Sequence, residues 1–384
     1  MRRALYRFEI LNKVDPNVWN NNLQKSNYAT FFQTYEYLTS SSSPSISSIF
    51  IIVFDENDEV KGQLGLQISS SVKAHSSLFM KKLASLFSNV GKRASWVSGP
   101  IIHEDDKNLR VKILEVLISS LREITKKYEL VLIDGYTPPL DLKIDNNFFN
   151  TFKKHGYKIQ NFFTFVTNLN DSLDEIWNNI HKSTRRDVVR AQKRNIEIKE
   201  LTKYEQLDEY FQILEEWSKT KGLYGKQTSE NKKEYWDYVN SGIEKLFMAY
   251  EDGKLVTTHR LGWFNGIAYS HKIINSYSRP TSLGGPLLMW HAIEWAKKSK
   301  MRIFDFSGGE SPPLDDIDKK KYNEQWDSLL SYKRKWGGSE FPYYHVVKVQ
   351  NNWRYKLIRA LTKLDWSFRN YKRKHYKRPK AIMR

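Results

Sequence analysis

The chain has 384 residues, 40% of them hydrophobic and 14% aromatic, and its formal net charge is +19. This length and composition exclude a disordered chain and predict two domains, or two related halves that share an interface. Because the chain has no cysteine, disulfides, thiolate metal sites and cysteine nucleophiles are excluded, which fits a reducing cytoplasm. We expect neither a membrane span nor a signal peptide, since no stretch approaches ~18 apolar residues and no apolar segment follows the basic start.

The first half of the chain alternates strand and helix patterns. Serine-rich residues 39–48 predict a loop, and apolar residues 49–54 predict a buried strand that turns back into a second strand over 60–69. Apolar side chains at helical spacing predict a helix over 110–127. The apolar run 130–133 predicts another buried strand.

The second half repeats this order. It shows a strand pattern over 246–250, a hairpin turn, a return strand over 255–264, a helix over 287–298 and a strand over 302–306. The repetition predicts an α/β fold with two related domains, each a mixed sheet with flanking helices.

A strongly basic segment, residues 181–195, opens the second half, with six Lys or Arg in fifteen positions. It has the pattern of a helix that Ser183 or Thr184 caps, with Asp187 favourably placed in the first turn. Just before it, Ser172 and Glu175 have the spacing of a capping box for a short helix.

In the basic helix, Arg186, Arg190 and Arg194 would share one face. Guanidinium groups at a helix N-terminus suit a phosphate-bearing ligand. The alternative is an ordinary solvated basic face.

Several motifs occur in a fixed order along the chain. They are Phe31–Tyr37, which contains Gln33, Leu132–Asp134 followed by Pro138 and Pro139, the basic helix, Phe304–Gly309, and Ser331–Gly338. In this order and spacing the chain resembles the FemABX family, which are peptidoglycan-bridge aminoacyltransferases built from paired GNAT-like domains. The resemblance covers about residues 28 to 347.

The resemblance implies two GNAT-like domains in tandem, residues 1–165 and 166–350, followed by a basic tail, residues 351–384. It also implies an enzyme that moves an aminoacyl group from charged tRNA to an amine of a cell-wall peptide precursor. Such an enzyme would be cytoplasmic, would use aminoacyl-tRNA as co-substrate, and would need neither a cofactor nor a metal.

The resemblance further implies roles for individual residues. The pair Tyr332 and Lys333 would act at the 3′ end of the aminoacyl-tRNA, where a lysine stabilises the developing oxyanion. Asp134 would orient the acceptor amine or accept its proton. The acceptor's phosphate would be held by the basic helix, whose candidate residues are Lys182, Arg185, Arg186 and Arg190.

Each of these roles has a plainer alternative. Lys333 lies in the basic run 333–335 and could be a surface cation, and Asp134 could be a cap or loop anchor. We interpret Asp305 as mainly structural, because the glycines after it allow a tight turn. The family's phosphate-binding lysine is replaced by residues 38–43, Leu-Thr-Ser-Ser-Ser-Ser, which leaves the acceptor's identity open.

Two other classes of function remain open. An acyl-CoA-dependent N-acyltransferase of the GNAT superfamily, acting on a glycan or peptide precursor, would hold the CoA pyrophosphate at a degenerate loop. The residues of that loop are Arg279, Ser282, Gly284 and Gly285. The other class is a non-catalytic RNA or membrane-surface binding protein on the same fold.

The tail carries much of the charge, with twelve Lys or Arg and one acid from Trp353 to Arg384. Its apolar residues recur at helical spacing: Trp353, Leu357, Leu361, Leu364, Phe368 and Tyr371. The pattern predicts a basic amphipathic helix on an anionic membrane surface, at the inner face of the membrane, or on an RNA backbone. The alternative is a helix whose apolar stripe packs on the protein body.

Overall fold

The structure, a computed structural model, describes residues 6–40, 46–70, 77–86, 91–223, 229–276, 283–308 and 330–375. By packing, the chain divides into two compact units. Unit 1 comprises residues 1–161, 218–238 and 343–377, and unit 2 comprises residues 162–217, 239–342 and 378–384. The predicted α/β class is confirmed.

The strands are β1 (Arg7–Leu11), β2 (Ser47–Phe54), β3 (Val60–Ser70), β4 (Lys92–Trp96), β5 (Ile101–Ile102), β6 (Leu130–Tyr136), β7 (Lys158–Asn168), β8 (Ile196–Glu200), β9 (Glu244–Glu251), β10 (Lys254–Phe264), β11 (Ile267–Asn275), β12 (Ile303–Asp305) and β13 (Ser339–Val349). The helices are α1 (Pro16–Gln24), α2 (Tyr35–Thr39), α3 (Leu78–Leu86), α4 (Lys107–Tyr128), α5 (Asn146–Lys154), α6 (Leu173–Asn179), α7 (Lys182–Gln192), α8 (Leu207–Thr220), α9 (Ser229–Asn240), α10 (Gly284–Lys298), α11 (described over 330–334) and α12 (Asn352–His375).

Unit 1 is a mixed sheet with the strand order β1-β2-β3-β4-β6-β13. The strands β1 to β4 form an antiparallel meander, β4 and β6 are parallel, and β13 is antiparallel to β6. Helix α4 makes the crossover to β6, and Asp106 caps it by accepting hydrogen bonds from the amides of Asn108 and Leu109. Its buried face, which includes Ile113 and Leu117, packs on the sheet.

Unit 2 has the same plan, with the strand order β8-β9-β10-β11-β12-β7. The strands β8 to β11 are antiparallel, β11 and β12 are parallel, and β7 is antiparallel to β12. Helix α10 makes the crossover to β12, and it is the most buried helix of this unit's core, with Leu288, Ile293 and Ala296 fully enclosed. The predicted structural repeat is therefore confirmed.

Two segments from later in the chain, residues 218–238 and 343–377, belong to unit 1, which the sequence pattern did not indicate. The last strand of unit 1 is β13, which comes from the end of the chain: His345 to Val349 pair with Tyr136 to Leu132 of β6. Residues 218–238 and α12 also belong to unit 1. The domain boundaries at 165/166 and 350/351 stay a prediction. In the structure, residues 343–377 pack with unit 1, where β13 pairs with β6.

Helix α12 confirms the predicted C-terminal helix over residues 352–375, while residues 376–384 lie outside the described part of the chain. Within the ranges that the structure describes, no helix combines the length and the apolar character needed to cross a bilayer.

Candidate active site

Lys333 is a buried cation in unit 2, with 7% of the residue exposed. It lies in α11, and its ammonium group donates to the backbone oxygen of Ser307, to Ser307 Oγ at 3.0 Å and to the Gly308 oxygen at 2.8 Å. Three acceptors match the three hydrogens of an ammonium group. The lysine therefore ties α11 to the turn that follows β12, and the alternative of a surface cation does not fit this burial.

Ser307 occupies the left-handed region of the backbone map, with φ of 63°. This conformation is uncommon for a residue other than glycine, and it costs free energy unless the surroundings hold it. The amide of Ser307 donates to Asp305 Oδ1 at 2.7 Å, and its two oxygens accept from Lys333. These contacts hold a strained turn at the end of a central strand, where both serine oxygens face the same ammonium group.

Asp305 lies at the end of β12, is 1% exposed and accepts a hydrogen bond from the Thr164 hydroxyl. Burial raises its pKa to about 6, although the bonds from Thr164 and Ser307 and the charge of Lys333 oppose the rise. Burial lowers the pKa of Lys333 to about 8, and Asp305 opposes that shift. At neutral pH both groups are therefore mostly charged, and each favours the charged form of the other.

Tyr332 is half-buried against the core of unit 2, and burial raises its pKa to about 12, so its hydroxyl stays neutral. Trp336 is buried and stacks on Phe306, with ring centroids 6.3 Å apart. Gly337 has φ of +79°, and a Cβ there would lie 2.4 Å from the Asn179 oxygen. Only glycine fits so close to that backbone, which explains the glycine that follows Trp336.

The basic helix α7 begins at Lys182, at least two residues earlier than the expected caps allow. His181 is the N-cap, and its Nδ1 accepts from the Ser183 amide at 3.2 Å. The prediction that Ser183 or Thr184 caps the helix is wrong, because both lie inside it and Thr184 is buried.

Asp187 is also placed differently from the prediction. It lies beyond the first turn of α7, where it pairs with Arg190 at 3.6 Å. The start of the helix adjoins the Lys333 segment of the same unit, since the His181 amide donates to the Lys335 oxygen at 2.8 Å.

The arginines of α7 differ in their partners. Arg194 pairs with Glu251 at 3.3 Å, so acids partly neutralise two members of the face expected from Arg186, Arg190 and Arg194. Arg185 donates to the oxygen and Oδ1 of Asn178 at 3.3 and 3.2 Å. Lys182 and Arg186 are exposed and have no hydrogen bond or ion pair to any described residue. The cationic groups that remain available lie in the first turn and a half.

Asp134 lies in unit 1, at the end region of β6, and is 2% exposed. Its carboxylate receives a bidentate bond from Arg93 and a bond from His345 Nε2 at 3.0 Å. Burial works to raise the pKa of Asp134, but the charge of Arg93 and the bonds from both partners outweigh it and hold the pKa below its usual value. A carboxylate in this setting is a poor proton acceptor, so the geometry favours the anchoring alternative.

The loop considered for CoA is only partly described, since Arg279 and Ser282 fall outside the described residues. Gly284 and Gly285 begin α10, whose N-cap, Leu283, makes no side-chain capping bond. A Cβ at Gly284 would lie 2.5 Å from Thr257 Oγ1, so close packing on β10 accounts for the first glycine. Among the described residues no cluster of three or more His, Asp or Glu could hold a metal ion.

The sequence matches no family model and no curated protein. Solved structures do match it. The crystal structure of FemX superimposes with a TM-score of 0.67 and 14% identity, over 91% of this chain and 99% of that one. The chain has the tandem GNAT-like fold of FemX.

Two further structures share this fold. One is the C-terminal domain of a lysylphosphatidylglycerol synthetase from Agrobacterium fabrum, with a TM-score of 0.52 and 11% identity, over 89% of this chain and 94% of that one. The other is a tandem GNAT protein from the clavulanic acid biosynthesis pathway, with a TM-score of 0.54 and 11% identity, over 90% and 98%. At these identities the comparisons confirm the predicted tandem GNAT-like fold and concern the fold alone.

Two residues of this site, Asp305 and Ser307, are not among the candidates predicted from the sequence. The glycines that follow Asp305 indicate a mainly structural role for it. The signal for both residues in the sequence is that the Phe304–Gly309 and Ser331–Gly338 motifs belong to the same half of the chain. Their shared half indicates that Lys333 and the Asp-Phe-Ser-Gly sequence lie near each other.

Proposed function

We propose that the chain is an aminoacyltransferase that moves an aminoacyl group from charged tRNA to an amine of a cell-wall peptide precursor, at the cytoplasmic face of the membrane. The observation that carries the proposal is the buried, charged Lys333. Its ammonium binds a strained turn, and the Lys335 oxygen of the same segment accepts from the start of α7, in a tandem GNAT-like fold.

The donor ester is already activated, so the protein needs to orient the amine and stabilise negative charge. The amine attacks the ester carbonyl, its oxygen becomes an oxyanion, and the ribose oxygen leaves. The amine loses one proton and the ribose oxygen gains one. Lys333 contributes by turning one ammonium hydrogen from Ser307 Oγ, a hydroxyl that can rotate, toward the oxyanion. The carboxylate of Asp305 keeps that lysine protonated.

Arg185 and Arg186 bind the anionic acceptor in this proposal. They lie at the start of α7, where helix amides and guanidinium groups favour a phosphate. Arg186 is exposed, and among the described residues Arg185 donates to the neutral Asn178, so both retain positive charge for an anionic acceptor.

The donor can be identified directly. The purified protein is incubated with charged tRNA pools or with acyl-CoA pools, each with a lipid extract as acceptor, and mass spectrometry follows donor and product. We expect loss of aminoacyl-tRNA and an acceptor heavier by one aminoacyl group, with little product from Lys333→Met. Product formed from acyl-CoA alone would contradict the proposal, and so would consumption of neither donor.

The second candidate is an acyl-CoA-dependent N-acyltransferase. The observation in its favour is that α10 begins at two glycines, Gly284 and Gly285, since the start of a helix favours a phosphate group. The shared fold with a tandem GNAT protein agrees with it. The same incubation separates the two candidates, because only one of the two donor pools would be consumed.

A further inference from the structure

Helix α12 has a packed face that differs from the predicted apolar stripe. Ile358 and Asp365 are buried, and Tyr355 is half-buried. Ile358 packs beside β4, since a Cβ built at Gly91 would lie 2.8 Å from Ile358 Cδ1. Gly222 of the same unit lies against the backbone of this helix. These contacts fix which side of α12 faces unit 1.

The apolar stripe lies mostly on the open side of α12. At 3.6 residues per turn its members fall within about 80° of one another around the helix axis. Four of them are exposed, by 64% for Trp353, 43% for Leu364, 41% for Phe368 and 65% for Tyr371. The alternative that the whole stripe is core is therefore wrong, and a surface of large apolar side chains remains on a basic helix.

A second element of unit 1 has the same character. In α3, Leu78, Phe79 and Leu86 are at least half exposed, and Lys82 is exposed beside them. Helix α3 ends at Leu86, five residues before Gly91, against which Ile358 of α12 packs. Five residues span at most about 18 Å. The end of α3 therefore lies within about 18 Å of Gly91, and both exposed apolar surfaces belong to unit 1.

The charge of this region is strongly positive. Between 352 and 373 the chain has seven Lys or Arg and a single acid, Asp365, which is buried. Lys356 and Lys363 are exposed and lie next to the apolar stripe on the side away from the packed face. An apolar surface edged by cations complements an anionic lipid bilayer, whose headgroups carry negative charge and whose interior accepts aliphatic groups.

We propose that the exposed faces of α3 and α12 form one surface that docks on an anionic lipid bilayer. The side chains of Trp353, Phe368 and Phe79 enter the headgroup boundary, and Lys356 and Lys363 contact lipid phosphates. The aliphatic Leu78, Leu86 and Leu364 favour a bilayer over RNA, because a nucleic acid backbone offers them no apolar contact. The proposal is independent of the transfer reaction, since its test measures binding alone.

The first test is co-sedimentation of the full chain with two kinds of vesicle. One is pure phosphatidylcholine, and the other also contains about 30% of the anionic lipid phosphatidylglycerol. Wild type should bind the anionic vesicles much more tightly. Trp353→Ser/Phe368→Ser should weaken that binding about tenfold or more. The matched control is Trp366→Ser, because Trp366 is 38% exposed on the same helix but lies about 220° around it from Trp353. The control should bind as wild type does.

The cations are tested by a second pair of variants. Lys356→Gln/Lys363→Gln should weaken binding to anionic vesicles about 25-fold, at about fivefold for each cation. The control removes the same charge from exposed lysines of α4 and α5, as Lys112→Gln/Lys153→Gln, and should change binding little. Equal losses in both variants would show a diffuse charge effect and would overturn the assigned surface.

A third measurement reports insertion directly and guards against a variant that fails to fold. Because the chain has no cysteine, Phe368→Cys and Lys112→Cys can each carry one environment-sensitive dye. We expect a blue shift on anionic vesicles at position 368 and none at 112. No shift at 368 would overturn the proposal. It would also fail if the stripe variants kept vesicle binding and lost affinity for tRNA, since the surface would then bind RNA.

Discussion

Each unit has a buried aspartate at or near the end of a matching strand, β6 in unit 1 and β12 in unit 2, and the environments of the two differ. Asp134 lies two residues before the end of β6, with Arg93 and His345 on its oxygens, and these partners hold its pKa below the usual value. Asp305 ends β12 with a hydroxyl, an amide and Lys333 around it, and burial raises its pKa to about 6. The strands occupy the same place in the repeated plan, so the difference comes from the groups around each carboxylate.

The two environments indicate a structural role for Asp134 and a place in the candidate active site for Asp305. In unit 1 the carboxylate is fully paired, and the cluster holds β4, β6 and β13 together. In unit 2 the charge is compensated less completely, and the neighbouring lysine has a pKa of about 8. A group whose pKa lies near 7 gains or loses a proton at little cost in free energy. Such groups can assist a reaction near neutral pH. We therefore place the chemistry at Lys333 and a structural role at Asp134.

The largest expected effect is on folding. Asp134→Asn should lower the free energy of unfolding by about 3 kcal/mol, because it leaves the buried side of Arg93 without a counter-charge. Asp305→Asn should lower it less, by about 1 kcal/mol, because the amide oxygen can keep the bonds from Thr164 and Ser307 and the Lys333 ammonium keeps its three oxygen acceptors. Urea unfolding of the two variants measures both values. Equal losses would remove the distinction between anchor and site.

The next effect is on turnover. Lys333→Met should lower single-turnover transfer about 100-fold, the usual loss for one oxyanion donor. The methionine keeps most of the buried volume, so the melting temperature should stay near that of wild type. Lys335→Ala, an exposed neighbour in the same basic run, is the control and should keep its activity. Wild-type turnover in Lys333→Met would refute the role of the lysine.

A smaller effect concerns the acceptor. Arg185→Ala/Arg186→Ala should raise the KM for the acceptor about tenfold and leave the KM for the donor nearly unchanged, since one charge-assisted bond contributes about 1.5–3 kcal/mol. Arg194→Ala serves as control, because that guanidinium already pairs with Glu251. Parallel increases in both KM values would indicate a general basic surface instead.

Local sequence signals predicted much of the fold. The capping box of Ser172 and Glu175 is present as expected, and the apolar period of α4 and the hairpin of β9 and β10 were identified within a few residues. Each of these depends on neighbours in the chain, so a single sequence carries the information. The start of α7 was missed because histidine is an unusual N-cap.

The site depended on distant residues. Asp305 and Lys333 are separated by 28 positions, and only packing brings the ammonium to the turn after β12. Likewise, Arg93 and His345 decide the state of Asp134, and nothing near residue 134 in the sequence indicates them. The packed face of α12 was not predictable either, because Tyr355 and Ile358 on one side are as apolar as Leu364 and Phe368 on the other.

The most direct test of the central claim is the pH dependence of single-turnover transfer, corrected for the uncatalysed hydrolysis of the ester. Because the protonated lysine is the active form, the rate should fall as pH rises through about 8. Deprotonation of the acceptor amine would change the rate in the opposite direction. In Asp305→Asn the fall should move to lower pH, since the carboxylate that raises the pKa of Lys333 is gone. In Lys333→Arg it should disappear, because arginine stays charged. A fall at pH 8 that persists unchanged in Lys333→Arg would contradict the account.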